Sequence, residues 1–278
     1  MLFRSDMKYG VRIHWGLYSI WELRGESWPF LRMSVEKRQE YQQLYKNWNP
    51  IGFDADEWMA FFKRSGLRCL AFTTKHHEGF SMFDTQTRVK KRVNWLAPEG
   101  ERLEDCDLAY SIMETPFKRD IVKEICDAAR RADIKIDLYF SHPDWYDADF
   151  RPYSHHPVII EDAIEHPENY DANILGFFSG VQYEMTEPPS PTESQRMMVR
   201  HRQQLIEILS NYGKIDMCCL DMRLGPANWQ FLKNTIKTLR KIQPDVMFRN
   251  RGIGNYGDYY TPEGFVPDDP NNTNMPWM

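Results

Sequence analysis

The sequence lacks an uninterrupted apolar run of the roughly 20 residues that a membrane-spanning helix requires. Its first residues, MLFRSDMKYG, also lack the apolar region of a signal peptide. We therefore expect no membrane partner. Two compartments stay open: the cytoplasm, or the periplasm or cell exterior after removal of a signal peptide.

Other absences exclude several classes of site. Lys and Arg total 35 against 40 Asp and Glu, and the two signs are interleaved, so no basic stripe predicts a nucleic-acid partner. The five cysteines show no CxxC spacing, and three lie in apolar segments, which favours buried thiols over disulfides or zinc. No GxxxxGK[ST] turn follows a predicted strand, which argues against a nucleotide bound in a P-loop. No cofactor is expected.

The chain does contain a repeated helix-then-strand alternation. Predicted helices at 54–65, 119–133, 194–212 and 228–242 are followed by predicted strands at 67–75, 134–141, 214–221 and 246–250. An earlier strand is predicted in GVRIHWG, at 10–16. This pattern indicates an α/β fold with a parallel sheet in a single domain spanning 1–278, and it leaves both a closed barrel and an open sheet possible.

Polar residues lie where the predicted strands end: His14, the pair His76 and His77, Tyr139, Asp221 and Arg251. Because the carboxyl ends of parallel strands meet on one side of a sheet, these residues should converge on one mouth. The stretches 92–118 and 147–193 lack clear periodicity and are predicted to be loops around that mouth. The convergence favours an enzyme.

The residue types alone leave other interpretations open. Asp221 could cap a helix, and Glu263 could be an ordinary surface carboxylate. A metal-dependent hydrolase is a further alternative, which loss of activity with a chelator would reveal. Because His76 and His77 would point to opposite faces of a regular strand, and no HExxH or His-x-His occurs, we expect no metal site.

Four segments resemble glycoside hydrolase family 29, the retaining α-L-fucosidases: GVRIHWGLYS, FDADEWMAFFKRSGLRCLAFTTKHHEGF, RDIVKEICDAARRADIKIDLYFS with HPDW, and YGKIDMCCLDM. The resemblance implies a (β/α)8-like TIM barrel. It also implies that the barrel is incomplete, truncated at its C-terminus before the last strands and the family's β-sandwich. An incomplete barrel leaves a sheet edge open, so we expect low stability or self-association as a homo-oligomer.

The resemblance also implies roles for individual residues. Asp221 would be the nucleophile that attacks terminal α-L-fucose on a fucosylated glycan or oligosaccharide, and a second carboxyl about 5–5.5 Å away would be the acid/base. Trp28 and Phe80 are candidates for an apolar wall beside the sugar methyl group. The residues implied to bind the sugar are His14, Glu26, Trp28, His76, His77, Tyr139 and Arg251.

The acid/base residue is the least uniform feature of that family. One group of members places it in a segment similar to Tyr-Thr-Pro-Glu, which implies Glu263, and another group would place it beyond residue 278. Cys219 stands where the family commonly has Trp, which would remove a wall of the sugar pocket. A carbohydrate-binding pseudoenzyme or inactive fragment is therefore an alternative function.

Overall fold

The computed structural model describes residues 9–98, 100–150, 189–222, 224 and 226–259. The strands are β1 (Gly10–Ile13), β2 (Cys69–Lys75), β3 (Val89–Val93), β4 (Leu103–Leu108), β5 (Lys135–Ser141), β6 (Met217–Asp221) and β7 (Met247–Phe248). The helices are α1 (Val35–Tyr41), α2 (Ala55–Arg64), α3 (Ile121–Ala132), α4 (Pro191–Asn211) and α5 (Trp229–Ile242).

Five strands form one parallel sheet in the order β1-β2-β5-β6-β7. This arrangement confirms the predicted α/β fold with a parallel sheet. The closed barrel stays a prediction. In the sheet Thr73 is paired with Tyr139, and Ser141 with Asp221, so the predicted site residues lie at one edge.

Side-chain caps mark the starts of three helices, and α4 begins at Pro191, before its predicted start at 194 and inside the stretch predicted to be a loop. Asp54, Asp120 and Ser190 cap α2, α3 and α4, each accepting a hydrogen bond from a backbone N–H in the first turn. Gly66 follows α2 with φ +79° and Gly213 follows α4 with φ +69°, a left-handed conformation that glycine adopts without steric cost. These caps set where the next strand begins.

The prediction that 92–118 is an irregular loop is wrong in part. It contains β4 and the end of β3, which pair antiparallel as a separate two-stranded sheet. Its charged residues conceal the strands: Lys91 is paired with Asp105, and Arg92 forms an ion pair with Glu104. Opposite charges stabilise this hairpin across the strands where apolar alternation is weak. Of the second predicted loop stretch, 151–188 lies outside the described residues.

Three cysteines, Cys126, Cys218 and Cys219, are buried, and all five in the chain are free thiols. Within the described parts of the chain, no helix is both long and apolar enough to cross a membrane.

The central strands are buried on both faces, and Leu138 on β5 is fully buried. We expect Leu138→Ala to lower the free energy of unfolding by about 2–5 kcal/mol, because a cavity replaces a packed side chain. Ile51→Ala is the matched control, since Ile51 is 81% exposed and should change stability by less than about 0.5 kcal/mol. Urea denaturation followed by circular dichroism measures both, and equal effects would contradict the assigned core.

Candidate active site

Asp221 is the last residue of β6, after the apolar run Met217–Leu220 that packs inside the sheet. Its side chain is 4% exposed, and two groups bind its carboxylate. The Tyr139 hydroxyl donates to Oδ2 at 2.5 Å, and Nε of Arg251 donates to Oδ1. Each carboxylate oxygen therefore has a donor although the residue is removed from water.

The pKa of Asp221 reflects opposing effects. Burial alone would raise the pKa, because the charged form loses its hydration. The positive charge of Arg251 and the hydrogen bonds from Tyr139 and Arg251 outweigh burial, and the pKa of Asp221 lies below its ordinary value. Asp221 is therefore an ionised carboxylate at neutral pH.

His76 and His77 both lie beside this carboxylate. The pairing of β2 with β5 is shifted between Thr73 and Lys75, and the strand ends at Lys75, so the two imidazoles no longer point to opposite faces. Their ring centroids are 4.3 Å apart, and Nε2 of His77 is 4.0 Å from Oδ2 of Asp221. The break in the strand explains how adjacent residues share one site.

A hydroxyl holds Nδ1 of each histidine. Ser27 Oγ lies 2.6 Å from Nδ1 of His76, Ser141 Oγ 2.5 Å from Nδ1 of His77, and Thr73 Oγ1 2.7 Å from Nδ1 of His14. These bonds fix the ring orientations and leave the Nε2 atoms for other partners.

His14 and His76 are neutral. Burial lowers the pKa of His14 to about 4, with a further contribution from the charge of Arg12. Burial also lowers the pKa of His76 well below its ordinary value, and His77 and His14 add to that effect. Neutral imidazoles can donate or accept hydrogen bonds without adding charge beside Asp221, which suits the binding of hydroxyl groups.

Tyr139 connects these groups. Its ring lies against His76 at 5.4 Å between centroids, and His14 meets its edge at 4.8 Å. Since its hydroxyl binds Asp221, the tyrosine places the carboxylate and both imidazoles in one contact cluster.

The segment after β1 brings Glu26 and Trp28 to the same mouth. Glu26 has a left-handed backbone, φ 53°. Trp28 packs its ring on His77 with centroids 4.7 Å apart. Burial raises the pKa of Glu26; Arg12 opposes that rise and Asp221 adds to it. Glu26 therefore lies within electrostatic reach of the carboxylate.

One further predicted residue, Phe80, lies away from the site. Phe80, a candidate wall for the sugar, is 1% exposed and packs on Trp48 and Tyr110 in the core. Glu263, the predicted acid/base residue, lies outside the described residues. Cys219, two residues before Asp221 on β6, is fully buried. Its thiol lies at the position where the resembled family commonly has the indole of a tryptophan.

The sequence interpretation missed Ser27, Thr73 and Ser141, whose hydroxyls orient the histidines, and it missed Arg12. The guanidinium of Arg12 lies 5.8 Å from the ring centroid of Tyr139. One signal existed for it: Arg12 is two residues before His14, and residues two apart on a strand share a face.

Gly252 allows the loop that carries Arg251 to approach β6. Its φ is +75°, and a Cβ there would lie 2.5 Å from the carbonyl oxygen of Met222 and 2.7 Å from that of Leu220. Any side chain would therefore displace the loop from the strand end. Glycine at this position places Arg251 against Asp221.

We expect Gly252→Ala to lower stability by at least about 1–2 kcal/mol, the cost of a left-handed alanine, and to lower activity further by moving Arg251. Gly254→Ala is the matched control, because Gly254 also has positive φ but a Cβ there meets nothing within 4 Å. Thermal unfolding measures the stability of both variants, and turnover of an aryl glycoside measures their activity. If both variants lost equal activity, the close approach at Gly252 would not be what positions Arg251.

No group of three or more His, Cys, Asp or Glu side chains among the described residues is arranged to hold a metal ion. The Nδ1 atoms of His76 and His77 are already engaged with serine hydroxyls. The described part of the site offers hydrogen-bonding groups and the Asp221 carboxylate.

The comparisons with known proteins agree on one family. The family described as Alpha-L-fucosidase matches residues 2–278. The human plasma alpha-L-fucosidase is 31% identical over 173 residues, a match that covers 57% of this chain and 31% of that protein. This chain thus spans less than a third of the curated relative.

Solved structures agree in fold. Alpha-L-fucosidase isoenzyme 1 from Paenibacillus thiaminolyticus superposes with a TM-score of 0.65 at 26% identity, covering 95% of this chain and 55% of that one. A variant of the alpha-L-fucosidase AlfC in complex with Fuca(1,6)GlcNAc superposes with a TM-score of 0.62 at 27% identity, covering 93% and 72%.

Proposed function

This chain belongs to the α-L-fucosidase family, and from that membership and the Asp221 site we propose that it is a retaining glycosidase that removes terminal α-L-fucose. The observation that carries the proposal is a buried, ionised carboxylate held by Tyr139 and Arg251 beside neutral histidines. A nucleophilic carboxylate must be charged and oriented, and a sugar site must offer hydrogen-bonding groups.

The proposed reaction is a double displacement. Asp221 attacks the anomeric carbon, a carbon–oxygen bond to Asp221 forms, and the bond to the leaving oxygen breaks as the acid donates a proton to it. Water then attacks the same carbon, gives its proton to the conjugate base, and releases Asp221. Two inversions at one carbon leave the product with the configuration of the substrate.

Glu263 is proposed as the acid/base. The proposal rests on the resemblance of its segment to the family, and it requires the Glu263 carboxyl to come about 5–5.5 Å from that of Asp221. The histidines, Glu26 and Trp28 are proposed to bind the sugar, with Trp28 beside the methyl group.

The fold proposed for 1–278 is a single TIM-barrel-like catalytic domain. The parallel order of five strands and the likeness to solved fucosidases support this arrangement. The proposed substrate is a fucosylated glycan or oligosaccharide, which the solved complex of AlfC with Fuca(1,6)GlcNAc supports by analogy.

Release of an aryl group from an aryl α-L-fucoside tests the function, with the aryl β-L-fucoside and the aryl α-galactoside as matched substrates. The proposal expects release from the α-L-fucoside alone. Fucose binding without turnover by the folded protein would favour the carbohydrate-binding pseudoenzyme. A folded protein that neither binds fucose nor turns over the α-L-fucoside would overturn the proposal.

A further inference from the structure

Glu78 is a buried carboxyl next to the histidine cluster that the proposed reaction does not use. It is 3% exposed, and neither carboxyl oxygen makes a hydrogen bond of good geometry with the described residues. Oε2 lies 3.9 Å from Nδ1 of His76, on the ring edge where Ser27 Oγ lies at 2.6 Å. Glu78 therefore lies behind His76, beside the Ser27 hydroxyl.

An unpaired buried carboxyl is far less costly when it is protonated. Burial raises the pKa of Glu78 to about 8, although the Ser27 hydroxyl is close enough to oppose part of the rise. At neutral pH the group is therefore a neutral acid that can donate a hydrogen bond.

The serine beside His76 differs from its counterparts at the other two histidines. Ser141 donates to the carbonyl oxygen of Pro143 at 3.0 Å, and Thr73 donates to that of Ile13 at 3.2 Å. With its one hydrogen on that carbonyl, each of these hydroxyls accepts from Nδ1 of its histidine, and Nε2 of His77 and His14 is then the acceptor nitrogen. Among the described residues no such carbonyl accepts from Ser27, so its hydrogen is available to His76.

We propose that Glu78 is a positioning residue that, through Ser27, places the proton of His76 on Nε2. The protonated acid donates to Ser27 Oγ, and Ser27 donates to Nδ1 of His76. His76 would then offer a donor to a bound ligand where His14 and His77 offer acceptors. When Glu78 loses its proton, Ser27 donates to the carboxylate instead, and the His76 proton moves to Nδ1.

Other ionisable groups face Glu78. Burial raises the pKa of three facing tyrosines above their ordinary value and lowers that of His76. Lys75 and Asp144 form an ion pair with each other at 3.1 Å. The ionisable groups that face Glu78 are Tyr18, Tyr41, Tyr110, His76, Lys75 and Asp144.

Nitrogen-15 NMR of histidine-labelled protein tests this assignment without substrate, so it can be read whether or not the proposed fucosidase function holds. His76→Gln identifies the His76 signals. In the unaltered chain we expect the proton on Nε2 near neutral pH and its transfer to Nδ1 as the pH rises through about 8. Glu78→Gln keeps a donor amide of the same shape, so His76 should hold the Nε2 proton at every pH.

Two results would overturn the inference. One is an unaltered chain whose His76 carries the proton on Nδ1 at neutral pH, or keeps one tautomer throughout the titration. The other is a Glu78→Gln variant whose His76 changes tautomer in the same way as the unaltered chain. The titration of the unaltered chain does not depend on Glu78→Gln, so failure of that variant to fold would leave the first result intact.

Discussion

Asp221→Ala is expected to lower the turnover of an aryl α-L-fucoside by at least about 10⁴-fold, the loss typical of removing a nucleophile. The fold should survive, because the strand before Asp221 is apolar and buried independently of the carboxylate. Steady-state kinetics measures the loss, and near-ultraviolet circular dichroism checks the fold. Asp133→Asn is the control, since the Asp133 side chain is 85% exposed and asparagine tolerates its left-handed backbone.

Azide should rescue the Asp221→Ala variant. The small anion can occupy the space of the carboxylate, form a bond to the anomeric carbon and expel the aryl oxide, which needs no acid. Because only one inversion occurs, the product should be the β-L-fucosyl azide. Rescue with the α-azide as product, or full activity in the variant without azide, would contradict the role of Asp221.

Arg251→Met is expected to lower kcat/KM by about 10²-fold or more and to move the acid limb of its pH profile to higher pH. In the unaltered chain Arg251 helps to hold the pKa of Asp221 below its ordinary value against the effect of burial. Without the guanidinium, less opposes the effect of burial, and the pKa of Asp221 rises. A larger fraction of Asp221 is then protonated at a given acidic pH. An uncompensated buried charge should also cost about 3–5 kcal/mol of stability.

Arg131→Met is the matched control for that variant. Arg131 pairs with Asp56 at the surface, with side chains 59% and 68% exposed, and such pairs contribute about 1 kcal/mol at most. The pH profile of kcat/KM and urea denaturation measure both variants. An Arg251→Met protein with the unaltered acid limb would show that Arg251 does not set the charge of Asp221.

The sequence was sufficient to predict the helices α2 to α5, the parallel sheet and the group of residues at its edge, but not α1. Helix caps such as Asp54 and Asp120 and the glycine after α2 give local signals that do not depend on the rest of the fold. The convergence of His76, His77 and Asp221 follows from the geometry of parallel strands. Such features depend on the spacing of apolar and polar residues along the chain, which can be read from a single sequence.

Other features depend on contacts that no periodicity reports. Ser27 and Ser141 are single hydroxyls whose role appears only when a histidine lies within 3 Å. The β3–β4 hairpin is stabilised by paired charges, which in the sequence resemble a solvated loop. Gly252 could be any turn glycine until the carbonyl oxygens of β6 are seen against it.

The measurement that tests the central claim most directly is covalent trapping with 2-deoxy-2-fluoro-α-L-fucosyl fluoride, followed by peptide mapping by mass spectrometry. Fluoride leaves as the nucleophile bonds to the anomeric carbon, and the second fluorine slows hydrolysis of the intermediate. The account predicts one fluorofucosyl group per chain, attached to Asp221. Attachment to a different carboxylate, or hydrolysis of an α-L-fucoside with β-L-fucose as the first product, would contradict it.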